Sequence, residues 1–450
     1  MIGSKRILLI FISILLIVIT FNIGYSANNY VTIPDDYQTL NDALNAVADG
    51  GTIYIRDSGG FYAFEKAQID KSVSIIGIDG TPVIGCKNDT YLLIEVLSNS
   101  SLTIENIHFK SSIDKRIIES YSPYLNLKDV SFSYSDPLVI KNSQANEDVD
   151  ITVTNCSFNP KGPVIDFSYN ANGSISFVNS SFSVEGIEVR NSNGSNLYIN
   201  GNVFNDSGIE IQGASDSQIE VKDNIFDGNK VIFDFNDFST SNLNISHNKF
   251  LAPTYYIYNR DTQNTLNLNY NWWNSEDGPS IDGSSVFNGN IIYDKWALDE
   301  NFIHFSGGNI IEGQVSLKNS FNHGGIDVNL FLDGSRIDST YTDRDGLFSF
   351  NNLGPNNYTL TFQNNGYNTV AKEVYIHNED ININTELKYN SNLLDVNNDA
   401  NVDNLDISEV SNAFGLDSTD VNWRDKYDFN RNGKIDLLDI LIILRFREDE

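Results

Sequence analysis

Positive charge is what this chain has least of. Against 60 Asp and Glu stand 29 Lys and Arg in 450 residues, a formal net charge of −31. Phosphates would be repelled, which excludes nucleic acid and anionic membrane surfaces as partners. The acidic balance suits a solvated extracellular protein or one that binds divalent cations. Long apolar runs are nearly absent too. The exception is ILLIFISILLIVITF at 7–21, preceded by Lys5 and Arg6 and followed by Gly24, Ser26 and Ala27. A basic start, an apolar stretch and small residues after it predict a signal peptide over 1–26, cut near Ser26/Ala27. Its fifteen residues fall short of the roughly 20 that span a bilayer. No later segment could span a membrane, so the mature protein is expected outside the cell with no transmembrane segment.

What is abundant is repetition. Eight segments between residues 100 and 273 share one pattern: LTIENIHF, LNLKDVSF, ITVTNCSF, ISFVNSSF, LYINGNVF, IEVKDNIF, LNISHNKF and LNLNYNWW. They end at Phe109, Phe132, Phe158, Phe182, Phe204, Phe226, Phe250 and Trp273, at spacings of 23, 26, 24, 22, 22, 24 and 23 residues. Apolar residues stand seven and five positions before each aromatic, from Leu102/Ile104 to Leu266/Leu268. Alternation with period two predicts a strand with one inward face. A polar residue, usually Asn, then breaks it, and Asn tolerates the left-handed backbone of a tight turn. One such unit cannot bury its own apolar face, so the units must stack. The prediction is a parallel β-helix with coils about 4.8 Å apart and the aromatics in one buried column, with Trp272 and Trp273 as core at the end of the stack. Cys86 and Cys156 then fall in different coils, too far apart to bridge, and are expected as two free, buried thiols.

The stretch YQTLNDALNAVADGGTIYI (37–55) places Leu40, Ala43, Leu44 and Val47 on one helical face ahead of Gly50-Gly51 and a strand. An amphipathic helix before the first coil covers an edge that would otherwise recruit other strands. YVTIPDDYQTLNDALNAVADGGTIYI at this end, and NYNWWNSEDGPS with IIYDKWAL at the other, resemble the pectate-lyase-like right-handed β-helix family over residues 30–305. That family spans enzymes and non-enzymes, so fold alone leaves function open.

Residues 308–388 read as short alternating strands between Gly, Asp and Asn turns, a small β-sandwich. TDRDGLFSFNNLGPNNYTLTF (342–362) resembles the carboxypeptidase-regulatory-like domain, which implies a spacer or binding module. The domain organisation expected is signal peptide 1–26, β-helix 27–305, β-sandwich 308–388 and a helical calcium-loop domain over 391–450.

That last domain rests on two runs thirty-three residues apart, DVNNDANVDNLD (395–406) and DFNRNGKIDLLD (428–439). A twelve-residue calcium loop delivers oxygens from positions 1, 3, 5, 7, 9 and 12. The first run offers Asp395, Asn397, Asp399, the Asn401 carbonyl, Asp403 and Asp406; the second offers Asp428, Asn430, Asn432, the Lys434 carbonyl, Asp436 and Asp439. Two calcium ions are therefore expected. Gly433 takes the sharp turn at position 6, where the first run has Ala400, and Val402 and Ile435 at position 8 are expected to pair across the loops. Each run leads into a helical pattern. One Asp-rich turn would be unremarkable; two in register, each entering an amphipathic helix, are specific. Residues 393–446 resemble a type I dockerin. The resemblance implies a cohesin-type protein as partner, engaged through both helices and positions 10 and 11 of each loop, here Asn404/Leu405 and Leu437/Leu438.

Catalytic motifs are another absence. The Asn-Thr-Asp, Asp-Asp, Gly-His-Gly and Arg-Ile-Lys signatures of β-helix hydrolases do not occur on successive coils, and His108, His247, His304, His323 and His377 are scattered. Six and eight residues after the coil aromatics come outward positions. The set at eight is Asp166, Arg190, Gln212, Asp234 and Tyr258; the set at six includes Glu188, Glu210 and Tyr256. Stacking would set Glu188 one strand spacing from Glu210, close enough to raise one pKa and to suit retaining hydrolysis. Arg190 with Asp166 reads equally as a surface ion pair. Two readings of the β-helix therefore stay open: a non-catalytic module that recognises polysaccharide, with Tyr256 and Tyr258 offering flat rings to a sugar, and a polysaccharide lyase or glycoside hydrolase acting in the groove.

Overall fold

The computed structural model describes residues 27–447, except 89, 113–114, 135, 142–146, 168–170, 240, 281–283, 319, 378 and 431. The expected signal peptide lies outside the described residues. The chain divides into two compact units between Trp296 and Ala297.

In the first unit each coil gives one strand to each of three parallel sheets. One ten-stranded sheet runs from Asn28–Ile33 to Asn242–Ser246, a nine-stranded sheet from Phe61–Phe64 to Lys249–Phe250, and a second ten-stranded sheet from Ala67–Ile69 to Val286–Asn288. The result is a mainly-β solenoid of about ten turns. The turn that the repeat predicts is present. Three residues before each aromatic, Asn106, Asp129, Asn155, Asn179, Gly201, Asp223, His247 and Tyr270 all have φ between +50° and +68°. This kink lets the strand leave the first sheet and turn its aromatic back inward.

The aromatics form one column. Phe109, Phe132, Phe158, Phe182, Phe204, Phe226, Phe250 and Trp273 are all buried and stack with successive ring centroids 4.3–5.4 Å apart. Trp272 departs from the expectation and is only half-buried, because neighbouring residues of an extended chain point to opposite faces.

A second column runs beside the first and was not foreseen. Asn202, Asn224, Asn248 and Asn271 are wholly buried two residues before their aromatics. Asn202 Nδ2 donates to Phe177 O (2.9 Å) and to Asn224 Oδ1 (3.0 Å), while the Asn202 backbone N–H donates to that same Oδ1 (2.9 Å). The pattern repeats from Asn224 to Asn248 and from Asn248 to Asn271. Buried amides are tolerated because donors and acceptors are both partnered.

The cap is present but short. Helix α1 (Leu40–Ala46) buries Leu40, Ala43 and Leu44, with Thr39 accepting at its N-cap from Asp42 N. Val47 belongs instead to the strand Val47–Arg56, which runs through Gly50-Gly51. Gly51 must be glycine there: a Cβ would meet Val47 Cγ2 at 2.6 Å and Asn29 O at 2.8 Å. Both thiols are free, but Cys86 is half-buried rather than buried. It ends the strand Val83–Cys86, and two strands separate that one from Ser157–Asn159, which follows Cys156.

In the second unit, strands from His304–Leu317 to Ile381–Leu387 form a three-stranded and a four-stranded sheet. Ile311, Val328, Phe350, Leu360 and Phe362 belong to their common core. Ala297 and Leu298 belong with this unit, bridging Phe305 and bonding to His304 O. Helices α2 (Asn404–Asn412) and α3 (Leu437–Arg447) follow, around a small core of Leu394, Val396, Val410, Ala413, Ile435 and Ile443. Among the described residues no helix is long and apolar enough to cross a membrane.

Candidate metal loops and solenoid face

The two acidic runs fold alike. In the first, Asp395 accepts from Asp399 N (3.0 Å) and Ala400 N (2.8 Å), Asn397 from Asp399 N (2.8 Å), Asp399 from Asn401 N (2.9 Å) and Asp403 from Leu405 N (2.7 Å). In the second, Asp428 accepts from Asn432 N (3.1 Å) and Gly433 N (2.8 Å), Asn430 from Asn432 N (2.9 Å), Asn432 from Lys434 N (2.8 Å) and Asp436 from Leu438 N (2.8 Å). Position 12 closes each loop: Asp406 accepts from Asn397 N and Asp403 N, and Asp439 from Asn430 N and Asp436 N. Both carboxylates are fully buried, and burial pushes the Asp439 carboxyl up. Asp403 with Asp406 is also the capping box of α2, so loop closure and helix initiation share the same groups.

These bonds use part of each carboxylate's acceptor capacity, which has about four lone-pair sites. The residual oxygens, the Asn side-chain carbonyls and the backbone carbonyls at Asn401 and Lys434 form a hard, all-oxygen donor set of the kind calcium takes. Among the described residues no three His, Cys, Asp or Glu side chains converge as a metal cluster; the donors are shared among carboxylates, amides and main chain. Ala400 has φ +71°, where Gly433 has +82°, so the first loop carries a left-handed strain of about 1–2 kcal/mol that glycine avoids. Val402, expected to pair with Ile435, packs against the core cluster that holds Ile435, and no backbone hydrogen bond joins the two. Ile435 instead bonds Leu416 and Gly415, and Gly433 O accepts from Ser418 N. The linker between the helices, not the first loop, is the second loop's backbone partner.

Positions 10 and 11 lie open: Asn404, Leu405, Leu437 and Leu438 are all exposed.

On the solenoid, the outward row of the last-named ten-stranded sheet runs Gln68, Glu95, Glu119, Val139, Val164, Glu188, Glu210, Asp234, Tyr258, Asn288 in continuous register. Asp234 therefore stacks on Glu210, not in the row of Asp166, Arg190 and Gln212, which continues to Asn236. The cause is a longer connection after Phe226: Gly208, four residues past Phe204, pairs with Ile232, six residues past Phe226, which delays the strand by two residues. Tyr256 follows Ile232 and Gly208 in a third row.

Nearly every acid of the row has a cation. Arg190 pairs with Glu188 and Asp166, and Arg260 holds Asp234 through two 2.6 Å bonds while lying 5.0 Å over the Tyr258 ring. Upstream, Arg116 bridges Glu119 and Asp136, and Lys141 and Tyr121 complete the Glu119 shell. Burial opposes the Glu119 charge, but hydrogen bonds from Lys141, Arg116 and Tyr121 outweigh it and bring its pKa down to about 2. Glu95 was missed because the alignment of repeats starts after the coil that carries it, and Glu119 because it stands ten residues after Phe109 rather than six. Among the described residues no ion pair holds Glu210: burial, then Glu188 and Asp234, push its carboxyl up against the weaker pull of Arg190 and Arg260. It borders a trough of about 370 Å³ lined also by Gly162, Gly186 and Gly208.

Residues 393–446 match the family model of the type I dockerin domain. Residues 311–397 match that of the CarboxypepD_reg-like domain. Type I dockerins bind calcium. No curated protein matches the chain. Two crystal structures of type II cohesin-X-dockerin complexes from Acetivibrio cellulolyticus, an N-terminal and a C-terminal interface mutant, are similar at 22% identity and TM-score 0.22. Each likeness covers 31% of this chain and 94% of the other. A TM-score that low establishes neither fold nor partner for this chain.

Proposed function

We propose that this is a secreted, non-catalytic subunit that docks through its C-terminal module onto a cohesin-type protein and offers its solenoid face to polysaccharide. The observation that carries the docking reading is the pair of twelve-residue loops with matching N–H bonds, each capping its own helix within the type I dockerin match. Two calcium ions are held, one by Asp395, Asn397, Asp399, Asn401, Asp403 and Asp406, the other by Asp428, Asn430, Asn432, Lys434, Asp436 and Asp439. The ions supply charge neutralisation; the chain's own part is to fix the loops and start α2 and α3.

Polysaccharide recognition is supported by the length of the outward row, with Tyr256 and the trough beside Glu210 offering an apolar ring and hydrogen-bonding groups to a sugar. Tyr258 is already engaged by Arg260. One observation favours the hydrolase reading: Glu210, its carboxyl held up, stacks directly on Glu188. A glycan array and a reducing-sugar assay on the full protein separate the two. Binding without turnover supports the recognition reading. Turnover abolished by Glu210→Gln would replace it with the hydrolase.

A further inference from the structure

Resting on the calcium reading above, we propose that Asn432–Gly433 in the second loop is a deamidation site that calcium keeps closed, so that the loop fails irreversibly once it has stood open. The chain holds six Asn-Gly pairs, and this is the one inside an acidic run, at positions 5 and 6. Glycine after asparagine favours ring closure, because no Cβ stands beside the attacking backbone nitrogen and glycine takes the backbone angles the ring needs. The Gly433 nitrogen bonds to Cγ of Asn432, the Cγ–Nδ2 bond breaks, and ammonia leaves with the glycine amide proton. Water then opens the cyclic imide at either carbonyl. Opening at Cγ leaves an ordinary aspartyl residue. Opening at the main-chain carbonyl leaves an isoaspartyl link, in which the backbone runs through Cβ and Cγ and is one atom longer.

The folded loop holds the reacting groups away from that course. The Gly433 N–H donates to Asp428 Oδ2 (2.8 Å), Asn432 Nδ2 donates to Asp436 Oδ2 (3.0 Å), and Asn432 Oδ1 accepts from Lys434 N (2.8 Å). A carboxylate against the N–H also opposes the negative charge that the nitrogen develops as it attacks. All three bonds run within the loop, so they last only as long as its closure does. Asn432 itself is exposed, and nothing else shields it once the loop opens. The first loop lacks this weakness: Asp399 and Ala400 hold the same positions, with no ammonia to lose and a methyl group beside the nitrogen. The two products differ in kind. An aspartyl residue at position 5 is what the first loop already carries. An isoaspartyl link shifts positions 6 to 12 against positions 1 to 5, and donors placed by chain geometry no longer converge. The second loop therefore records time spent without calcium.

The test is to age full-length protein in mildly alkaline buffer, in calcium or in EDTA. Mass spectrometry follows each Asn-Gly peptide, and enzymatic methylation counts isoaspartyl carboxyls. Asn432 should deamidate at least about tenfold faster in EDTA, while Asn193 and Asn288 in the solenoid change by less than about twofold. After ageing in EDTA, calcium should fail to restore slow amide exchange over 437–447, in proportion to the isoaspartyl content. Gly433→Ala should suppress both effects. A Cβ has room there, the nearest atom being Ser418 Oγ at 3.8 Å, and Ala400 already stands at φ +71° in the first loop. Equal deamidation of Asn432 in calcium and in EDTA, or full recovery of 437–447 in isoaspartyl-bearing protein, overturns the inference and leaves the calcium reading intact. Amide exchange over 437–447 of fresh wild-type protein that calcium does not slow overturns the calcium reading itself.

Discussion

Asp406 and Asp439 occupy equivalent places in the two loop–helix halves, each fully buried and each closing its loop on the backbone of positions 3 and 9. On the proposed calcium reading, so much buried carboxylate in a segment with a small core would couple folding to metal binding.

Calcium removal should therefore unfold the tail. In full-length protein, amide exchange of 404–412 and 437–447 should be slow in calcium and fast in EDTA, with the solenoid strands unaffected. Equal protection in both conditions would reduce the two runs to acidic turns.

The halves should not be equally sensitive. Asp439→Ala should cost more than Asp406→Ala, by about 1 kcal/mol or more. The second loop carries the linker ladder through Ile435 and Gly433, so its loss releases backbone bonds outside the loop as well. Calcium-titrated thermal melts of the two variants rank them.

The phenylalanine stack should be stiff against truncation. Phe182 is wholly buried between Phe158 and Phe204, at 5.1 and 4.9 Å, and neighbours held in a stack cannot close a cavity. Phe182→Ala is expected to cost about 3–5 kcal/mol in urea unfolding of the solenoid. A loss below 1 kcal/mol would mean that the coils can collapse.

Glu119 gives the solenoid an acid-sensitive point. Its pKa falls from the ordinary 4.5 to about 2 in the folded protein, so its stabilisation is present above pH 4.5 and lost as pH falls through the folded value. The linkage is worth about 3 kcal/mol. Glu119→Gln should flatten the stability-versus-pH curve between roughly pH 4.5 and 2 and lower stability at pH 7.

Much of this was legible in the sequence because the repeat is written in inward-facing residues. The Phe109 to Trp273 series set the coil length, and the Asn residues before it marked the turns. The asparagine ladder was missed because Asn at a turn and Asn in the core read alike: Asn179 kinks the backbone, whereas Asn202 bonds along the stack. Register on the outer face was only partly legible. Counting from each phenylalanine assumes equal turns, and DGNK after Phe226 is longer than the turn after Phe204, which is why Asp234 stacks on Glu210. The matching backbone plan of the two acidic runs was legible because positions within a twelve-residue turn are fixed by chain geometry alone. The partner of Ile435 was not, since Leu416 lies in a linker with no pattern of its own.

The aromatic column makes the solenoid a ruler with fixed graduations. From Phe109 to Trp273 every coil adds one ring and one place on each outer row, about 4.8 Å further along. Excising residues 183–204 would remove one ring whole, joining Phe182 to Asn205 and setting Glu210 directly on Val164. Length can thus change by whole coils through duplication or deletion of a coding segment, with every remaining coil keeping its own fold and the groups it presents.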